Sequence, residues 1–271
     1  MIYLSFPSIS PVMLSLGPLD IRWYSLAYIV GFLFSWIYIR KLSLNKSLYD
    51  RKTSFDSKLV DDLVFYSVIG LIVGARLGYI IFYNLEFYMQ NPLNVLYVWE
   101  GGLSFHGGLI GIIFSALFIS RTYKVGFFEL SDLICVSAPV GIFLVRISNF
   151  INGELYGRPS STLFGIIFPT ADNQYRHPSQ LYEAFLEGIL LFIILNISIF
   201  LFKTLSKPGY VSGLFLSFYG LFRFVVEFSR EPDIQVGFIY TFLTMGMILS
   251  IPMIISGLII LLLSLRNNVK K

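Results

Sequence analysis

The chain has 271 residues, of which 56% are hydrophobic and 13% are charged, whereas soluble domains contain roughly 25% charged residues. This composition excludes an ordinary soluble domain and indicates an integral membrane protein. Aromatic residues reach 17%, which suits a chain with rings at both membrane interfaces. The single cysteine, Cys135, lies among apolar residues and has no partner for an intrachain disulfide.

Seven apolar segments are long enough to cross the roughly 30 Å of hydrocarbon, which takes about 20 helical residues. In chain order they cover residues 23–39, 60–82, 103–120, 130–150, 181–202, 211–228 and 236–265. They predict an all-α integral membrane protein, a polytopic bundle of about seven transmembrane helices with short outer loops. We expect one transmembrane domain over residues 1–271, with the outer loop 151–178 as a candidate small head region.

The basic residues predict the orientation of these segments. Thirteen of the 20 Lys and Arg residues lie in one set of connections, together with the C-terminus, and four lie in the opposite set. The positive-inside rule then predicts an outer N-terminus and a cytoplasmic C-terminus. Residues 1–20, before the first segment, lack a basic start and contain Pro7, Pro11 and Pro18. They do not resemble a cleavable signal peptide, so we expect the first spanning segment to be retained.

Polar residues interrupt the fourth segment near its outer end. Arg146, Asn149 and Gly153 fall on one helical face, and Asn152 and Glu154 follow closely. A guanidinium group at the rim of the membrane suits a phosphate or a carboxylate. The alternative is an internal ion pair between Arg146 and Glu154 or Glu227.

A histidine between two pairs of glycines begins the third segment, in the stretch Gly101–Gly108. The glycines leave space around the imidazole of His106, which is able to accept a proton near neutral pH. The alternative is a structural histidine held by a neighbouring carbonyl. Glycines at helical spacing also predict close packing of helices in lipid. They are Gly70, Gly74 and Gly78 in the second segment, and Gly107 and Gly111 in the third.

Two cations flank one carboxylate at the outer end of the sixth segment. Arg223, Glu227 and Arg230 share a helical face by their spacing, so one arginine is expected to be neutralised while the other stays available. The alternative is a buried ion pair that only locks helices together. In the stretch Arg176–Glu183, Pro178 or Ser179 with Glu183 is typical of a helix cap.

Several kinds of site find no support in the sequence. The only histidines are His106 and His177, in separate segments, and neither a zinc-binding H-E-x-x-H pattern nor a cysteine cluster occurs. A phosphate-binding glycine loop is absent as well. We therefore expect no metal and no cofactor, and we expect no nucleic-acid partner.

Four ordered motifs resemble bacterial prolipoprotein diacylglyceryl transferases: Gly101–Gly108, Asn149–Gly157, Arg176–Glu183 and Arg223–Asp233. The resemblance extends to Arg22–Tyr24 and Gly74–Tyr79 and thus covers nearly the whole chain. It implies transfer of the diacylglyceryl group of phosphatidylglycerol to the lipobox cysteine of secreted prolipoproteins, with release of glycerol 1-phosphate. The implied partners are phosphatidylglycerol, a prolipoprotein signal peptide and membrane lipid, and the implied location is the bacterial cytoplasmic membrane with the site toward the outer leaflet.

The resemblance also implies residue roles. It assigns catalysis to His106, as the base, and to Arg223 and Tyr24, and it implies that Arg146 and Arg223 hold the lipid headgroup. Other positions implied in substrate binding are Asn149, Asn152, Glu154, Gly157 and Glu227. Val145 and Ser148 stand where the family commonly has glycines.

Two other classes of function remain open at this point. An ion- or proton-coupled transporter would use intramembrane Arg, Glu and His as binding or relay residues, although no motif occurs twice as an internal repeat would require. An intramembrane serine hydrolase would use Ser104 or Ser179, but the nucleophile-elbow pattern G-x-S-x-G is missing.

Overall fold

The computed structural model describes residues 5–17, 19–49, 55–161, 165–232, 237–239 and 243–269. Within this part of the chain, six helices are long and apolar enough to cross a membrane, and a seventh apolar helix, Tyr210–Val226, is shorter. This confirms an all-α polytopic membrane protein. The orientation of the termini stays a prediction.

Each predicted segment corresponds to one helical span in the described residues, the fifth span consists of three consecutive stretches, and a short further helix follows the second. The elements are α1 (Trp23–Leu44), α2 (Ser57–Tyr83), the short α3 (Leu85–Gln90), α4 (Phe105–Tyr123), α5 (Phe127–Ile151), a fifth span composed of α6 (Ser179–Glu183), a π-helical stretch (Ala184–Leu190) and α7 (Leu191–Phe202), then α8 (Tyr210–Val226) and α9 (Met245–Val269). Helix α9 begins later than predicted because Thr244 caps it, its Oγ1 accepting from the Met247 amide at 3.3 Å. The predicted start, Val236, lies outside the described residues.

The helices divide into two compact units, unit 1 with Met1–Ser35 and Asp132–Lys271, and unit 2 with Trp36–Ser131. In unit 2, α2 and α4 pack backbone against backbone. A Cβ added to Gly78 would lie 2.8 Å from the Cα of Gly107, and one added to Gly111 would collide with the carbonyl group of Gly70. The predicted small-residue packing is thus confirmed, and it occurs where the bilayer offers no hydrophobic drive for helix association.

In unit 1, a buried carboxylate on α5 caps another helix. Asp132 accepts hydrogen bonds from the amides of Gly209 and Ser212 at 2.8 and 2.7 Å and from the Ser212 hydroxyl at 2.6 Å. These groups lie at the start of α8, where free amides and the helix dipole favour a negative charge. Asp132 therefore fixes α8, and with it Arg223, relative to α5.

The described part of unit 1 also contains two small antiparallel sheets: β1 (Val12–Leu16) with β2 (Leu19–Arg22), and β3 (Ile166–Ile167) with β4 (Tyr175–Arg176). The second sheet lies in the head loop, residues 151–178. Gly157 forms a bridge with Arg230, and its amide donates to the carbonyl of His177 at 2.8 Å. The head loop is thereby joined to the end of α8.

Candidate active site

Arg146 lies in the last two turns of α5 and faces two acids of the fifth span. Its Nε is 3.0 Å from Oε2 of Glu183, and its Nη2 is 3.7 Å from Oε2 of Glu187. The Arg146 side chain is 17% exposed. Within the described part of the chain its Nη1 has no hydrogen-bond partner, so this guanidinium retains donors for another anion.

Glu183 joins three arginines. Its Oε1 accepts from Nη1 of Arg223 and, at 2.9 Å, from Nη1 of Arg230, while Arg146 faces its other oxygen. Glu227 pairs with Nη2 of Arg223 and accepts from the Thr244 hydroxyl at 2.6 Å. We call the six ionisable groups the arginine–glutamate cluster: Arg146, Glu183, Glu187, Arg223, Glu227 and Arg230.

A π-helical stretch, Ala184–Leu190, follows Glu183 directly. π-Turns are rare and concentrate at functional sites. Here the stretch keeps Glu183 and Glu187, four residues apart, on the side that faces Arg146. Gly188 permits the close approach, because a Cβ at this position would lie 2.6 Å from the Cβ of Phe143 on α5.

Asn149 and Asn152 form a second polar group with Glu154. Both amide nitrogens donate to Oε1 of Glu154, at 2.8 and 3.2 Å. Both amide oxygens are buried and have no hydrogen-bond partner in the described residues. Glu154 thus fixes two asparagines whose free oxygens are acceptors for a hydroxyl group.

The head loop is anchored beside the cluster by Gly157 and Arg158. A Cβ at Gly157 would lie 2.7 Å from the carbonyl oxygen of His177, so this position requires glycine. Arg158 donates from Nε to the carbonyl oxygen of Arg230 at 2.8 Å and from Nη2 to that of Glu227 at 3.1 Å. Burial lowers the pKa of His177, which favours a neutral ring in the folded head.

An ion pair on the surface of the head loop joins Asp172 and Arg176. Arg176 donates to both carboxylate oxygens at 2.8 Å, and these hydrogen bonds lower the pKa of Asp172 from 3.8 to about 2. Because the folded-state pKa lies below the ordinary one, the pair contributes stability above pH 3.8 and loses it as the pH falls towards 2. The head therefore keeps this contact at all physiological pH values.

His106 lies in unit 2, in the first turn of α4, and is exposed. Ser104 caps this helix by accepting from the Gly107 amide at 3.3 Å. The connection before it is held by Arg76, whose guanidinium donates to five backbone carbonyls, those of Asn94, Val95, Tyr97, Gly101 and Gly102. His106 is thus presented by a fixed helix start.

Tyr24 lies in the first turn of α1, with its ring 5.3 Å from that of Tyr28. It is close enough to Arg146 for an electrostatic interaction. Unit 1 therefore brings Arg146, Arg223 and Glu227 together around Glu183, with Tyr24 near Arg146. Asn149, Asn152 and Glu154 form a neighbouring group on the chain. His106 belongs to the other unit.

Three sequence-based interpretations were wrong. Glu183 does not cap α6, because it is buried among three arginines, and Pro178 provides no side-chain cap. The internal partners of Arg146 are Glu183 and Glu187 rather than Glu154 or Glu227. Neither Arg223 nor Arg230 stays free, since both contact Glu183.

Glu183 and Glu187 were missed as site residues. Both are 0% exposed, and two acids in a lipid-spanning segment are by themselves a signal for a functional site. The serines considered as nucleophiles have other contacts, since Ser104 caps α4 and Ser179 donates to the carbonyl of Leu155 at 2.9 Å. Among the described residues, no group of three or more His, Cys, Asp or Glu side chains is arranged to hold a metal ion.

Comparison with known proteins agrees with the motifs. The sequence profile of the family described as prolipoprotein diacylglyceryl transferase matches residues 11–263. Proteins named phosphatidylglycerol–prolipoprotein diacylglyceryl transferase from Rickettsia felis and Rickettsia akari are 51% and 52% identical, over 94% of this chain and 96% of each relative. The protein of the same name from Rickettsia bellii is 47% identical over 99% of this chain and its own full length.

These relatives give the transporter alternative no support. The profile match covers most of the chain, and the identity to the relatives extends over almost all of it. This chain therefore belongs to the prolipoprotein diacylglyceryl transferase family.

Proposed function

We propose that this membrane protein transfers the diacylglyceryl group of phosphatidylglycerol to the thiol of the lipobox cysteine in secreted prolipoproteins. The products are a thioether-linked precursor and glycerol 1-phosphate, and the reaction is the first step of lipoprotein maturation. The names of the relatives support this activity. The strongest structural support is Arg146, a largely buried guanidinium with an unused donor in the lipid-spanning part of the chain.

Arg146 and Arg223 are proposed to hold the phosphodiester of the headgroup. A planar guanidinium matches two phosphate oxygens, and both arginines are 17% exposed, so a headgroup is able to reach them. Their acidic partners keep these cations in place within the membrane when no lipid is bound. The free amide oxygens of Asn149 and Asn152 are proposed to accept hydrogen bonds from the glycerol hydroxyls.

The reaction displaces a phosphate ester at carbon. The thiolate forms a C–S bond, the C–O bond to phosphate breaks, and the phosphate gains a negative charge that arginines stabilise. His106 is proposed to take the thiol proton. The nucleophile arrives on the precursor, so the reaction does not require Cys135.

The other residues are proposed to support these two arginines and the headgroup. Glu227 orients Arg223 through their ion pair, and Tyr24 acts beside Arg146. Glu154 orients the two asparagines, and Gly157 permits the close contact that joins the head loop to α8. We propose that units 1 and 2 act as one transferase domain.

The proposed location is the bacterial cytoplasmic membrane, with the active site toward the outer leaflet. The bias of basic residues supports this orientation. Both substrates are then membrane-bound, and the secreted precursor arrives on the same side as the site.

The deciding experiment mixes purified protein, phosphatidylglycerol and a lipobox peptide and measures the peptide mass. We expect the cysteine to gain one diacylglyceryl group, and Arg146→Ala to reduce the rate on the order of 100-fold or more. The control is Arg121→Ala, in the last turn of α4 and so at the opposite end of that helix from His106. This variant should keep the wild-type rate. No adduct with the intact protein would contradict the proposal.

A further inference from the structure

Glu187 is the least satisfied carboxylate of the arginine–glutamate cluster. It is 0% exposed, and neither of its oxygens accepts a hydrogen bond from the described residues. Its contact with a cation is 3.7 Å long, to Nη2 of Arg146. Buried carboxylates are normally both paired and hydrogen-bonded, so a structural role does not explain this arrangement.

The other two acids of the cluster are held more firmly. Glu183 contacts all three arginines, and Glu227 contacts Arg223 and accepts from Thr244. Protonating either of them would break several short contacts. Protonating Glu187 would weaken only the long one to Arg146, so Glu187 is the carboxylate that a proton reaches at the lowest free-energy cost.

The cluster contains three arginines and three glutamates and is neutral when all six groups are charged. A bound phosphodiester adds one negative charge in a region of low dielectric, where an uncompensated charge is costly. One proton restores neutrality. The phosphodiester would also compete with Glu187 for Arg146, which removes the contact that favours the charged form of this carboxylate.

We propose that Glu187 takes up a proton when an anionic phosphodiester headgroup binds Arg146. Headgroup binding and proton uptake are then coupled, and the neutral Glu187 leaves the Arg146 guanidinium to the lipid. The inference rests on the proposed function, because it assumes the same headgroup site. Among the described residues, the charged and titratable groups near enough to interact electrostatically with Glu187 are Arg146, Glu183, Tyr219, Arg223 and Arg230.

The position of Glu187 in the fold fits this role. The residue lies in the π-helical stretch, and Gly188 beside it allows that stretch to approach α5 closely. Glu187 is therefore held next to Arg146 by backbone geometry and does not depend on a hydrogen bond of its own.

The test measures the protons taken up when phosphatidylglycerol binds. Short-chain phosphatidylglycerol is titrated calorimetrically into the full-length protein in two buffers of different ionisation enthalpy at neutral pH. We expect about one proton per bound lipid for the wild type and almost none for Glu187→Gln, in keeping with linkage between binding and protonation. Wild-type affinity should fall up to about tenfold per pH unit in the range where Glu187 is ionised before binding.

Two controls test whether proton uptake depends on the Glu187 carboxylate and on the charge of the lipid. Glu129→Gln, in the first turn of α5 and thus at the opposite end of this helix from Arg146, should keep wild-type proton uptake. Binding of uncharged diacylglycerol should cause no proton uptake. If Glu187→Gln does not fold, Glu187→Asp is used: its shorter side chain changes the distance of the carboxylate from Arg146, so the pH range of proton uptake should shift, and an unshifted range would overturn the role of Glu187.

The outcomes separate this inference from the proposed function. Binding of phosphatidylglycerol to the wild type without proton uptake overturns the role of Glu187 and leaves the proposed function intact. Undiminished uptake in Glu187→Gln also overturns it. Failure of the wild type to bind phosphatidylglycerol overturns the proposed function itself.

Discussion

Glu183 determines how three arginines are tolerated in a lipid-spanning region. Glu183 lies at the end of α6. Its partners are Arg146 on α5, Arg223 on α8 and Arg230, which follows α8. Glu183 offsets part of the cost of burying these charges, and Glu187 and Glu227 supply the other two negative charges of the cluster. Among the described residues, the Nη1 group of Arg146 keeps its donors for another anion.

Replacing Glu183 with Gln should destabilise the folded protein by about 3 kcal/mol or more, because removing one partner leaves buried charges uncompensated. Thermal unfolding of the purified protein in detergent measures the effect. The control is Glu231→Gln, which removes an ion pair with Arg176 whose glutamate side chain is 41% exposed and should cost less than about 1 kcal/mol. Equal losses in the two variants would contradict this account of Glu183.

His106→Gln should abolish turnover while phosphatidylglycerol still binds, because the amide is unable to take the proton of the attacking thiol. The matched control is His177→Gln, since these are the two histidines of the chain, and it should keep most of the turnover. Lipid binding and peptide modification are measured on the same preparations. Near-normal turnover of His106→Gln would remove this residue from catalysis.

Sequence spacing could predict only the local part of this site. The pair of Arg223 and Glu227 follows from their separation of four residues. The contacts of Glu183 and Glu187 with Arg146 depend on how the fifth span packs against α5, and residue spacing holds no information on this. For the same reason Glu183 looked like a capping residue beside Pro178.

At the scale of elements, the positions of the spanning helices could be predicted well. The bilayer requires every backbone polar group to be satisfied within a long apolar helix, so hydropathy alone locates α1, α2, α4 and α5. The π-helical stretch Ala184–Leu190 could not be predicted, because hydropathy does not distinguish a π-helical turn from a regular helical turn. The short strands of the head loop lack the alternating pattern that identifies longer strands.

Gly111→Ala tests the packing of α2 against α4. The added methyl group would collide with the carbonyl group of Gly70, so the two helices would have to separate and the variant should lose thermal stability. Gly141→Ala is the control, since a Cβ there meets nothing within 4 Å, and it should be neutral or slightly stabilising. A stable Gly111→Ala variant would show that this close contact is not required.

For the whole molecule, the single transmembrane domain stays a prediction, and the described helices form two compact units. Hydropathy identifies spans but not how they group, because every lipid-facing helix has a similar composition. The orientation in the membrane rests on the distribution of basic residues alone. It determines on which side the precursor meets the site.

Cysteine labelling in intact cells tests this orientation. In a Cys135→Ser background, Ser161→Cys in the head loop should react with a membrane-impermeant maleimide. Thr122→Cys, at the end of α4, should react only after lysis. Both original residues are exposed, so access is decided by the side of the membrane. The reverse labelling pattern would contradict an outer active site.

We propose that the arginine–glutamate cluster binds the anionic headgroup of the lipid substrate. The most direct measurement compares the equilibrium binding of phosphatidylglycerol and of zwitterionic phosphatidylethanolamine to the wild type and to Arg146→Gln. We expect the wild type to prefer phosphatidylglycerol and the variant to lose this preference while remaining folded. A folded variant that retains the wild-type preference would contradict it.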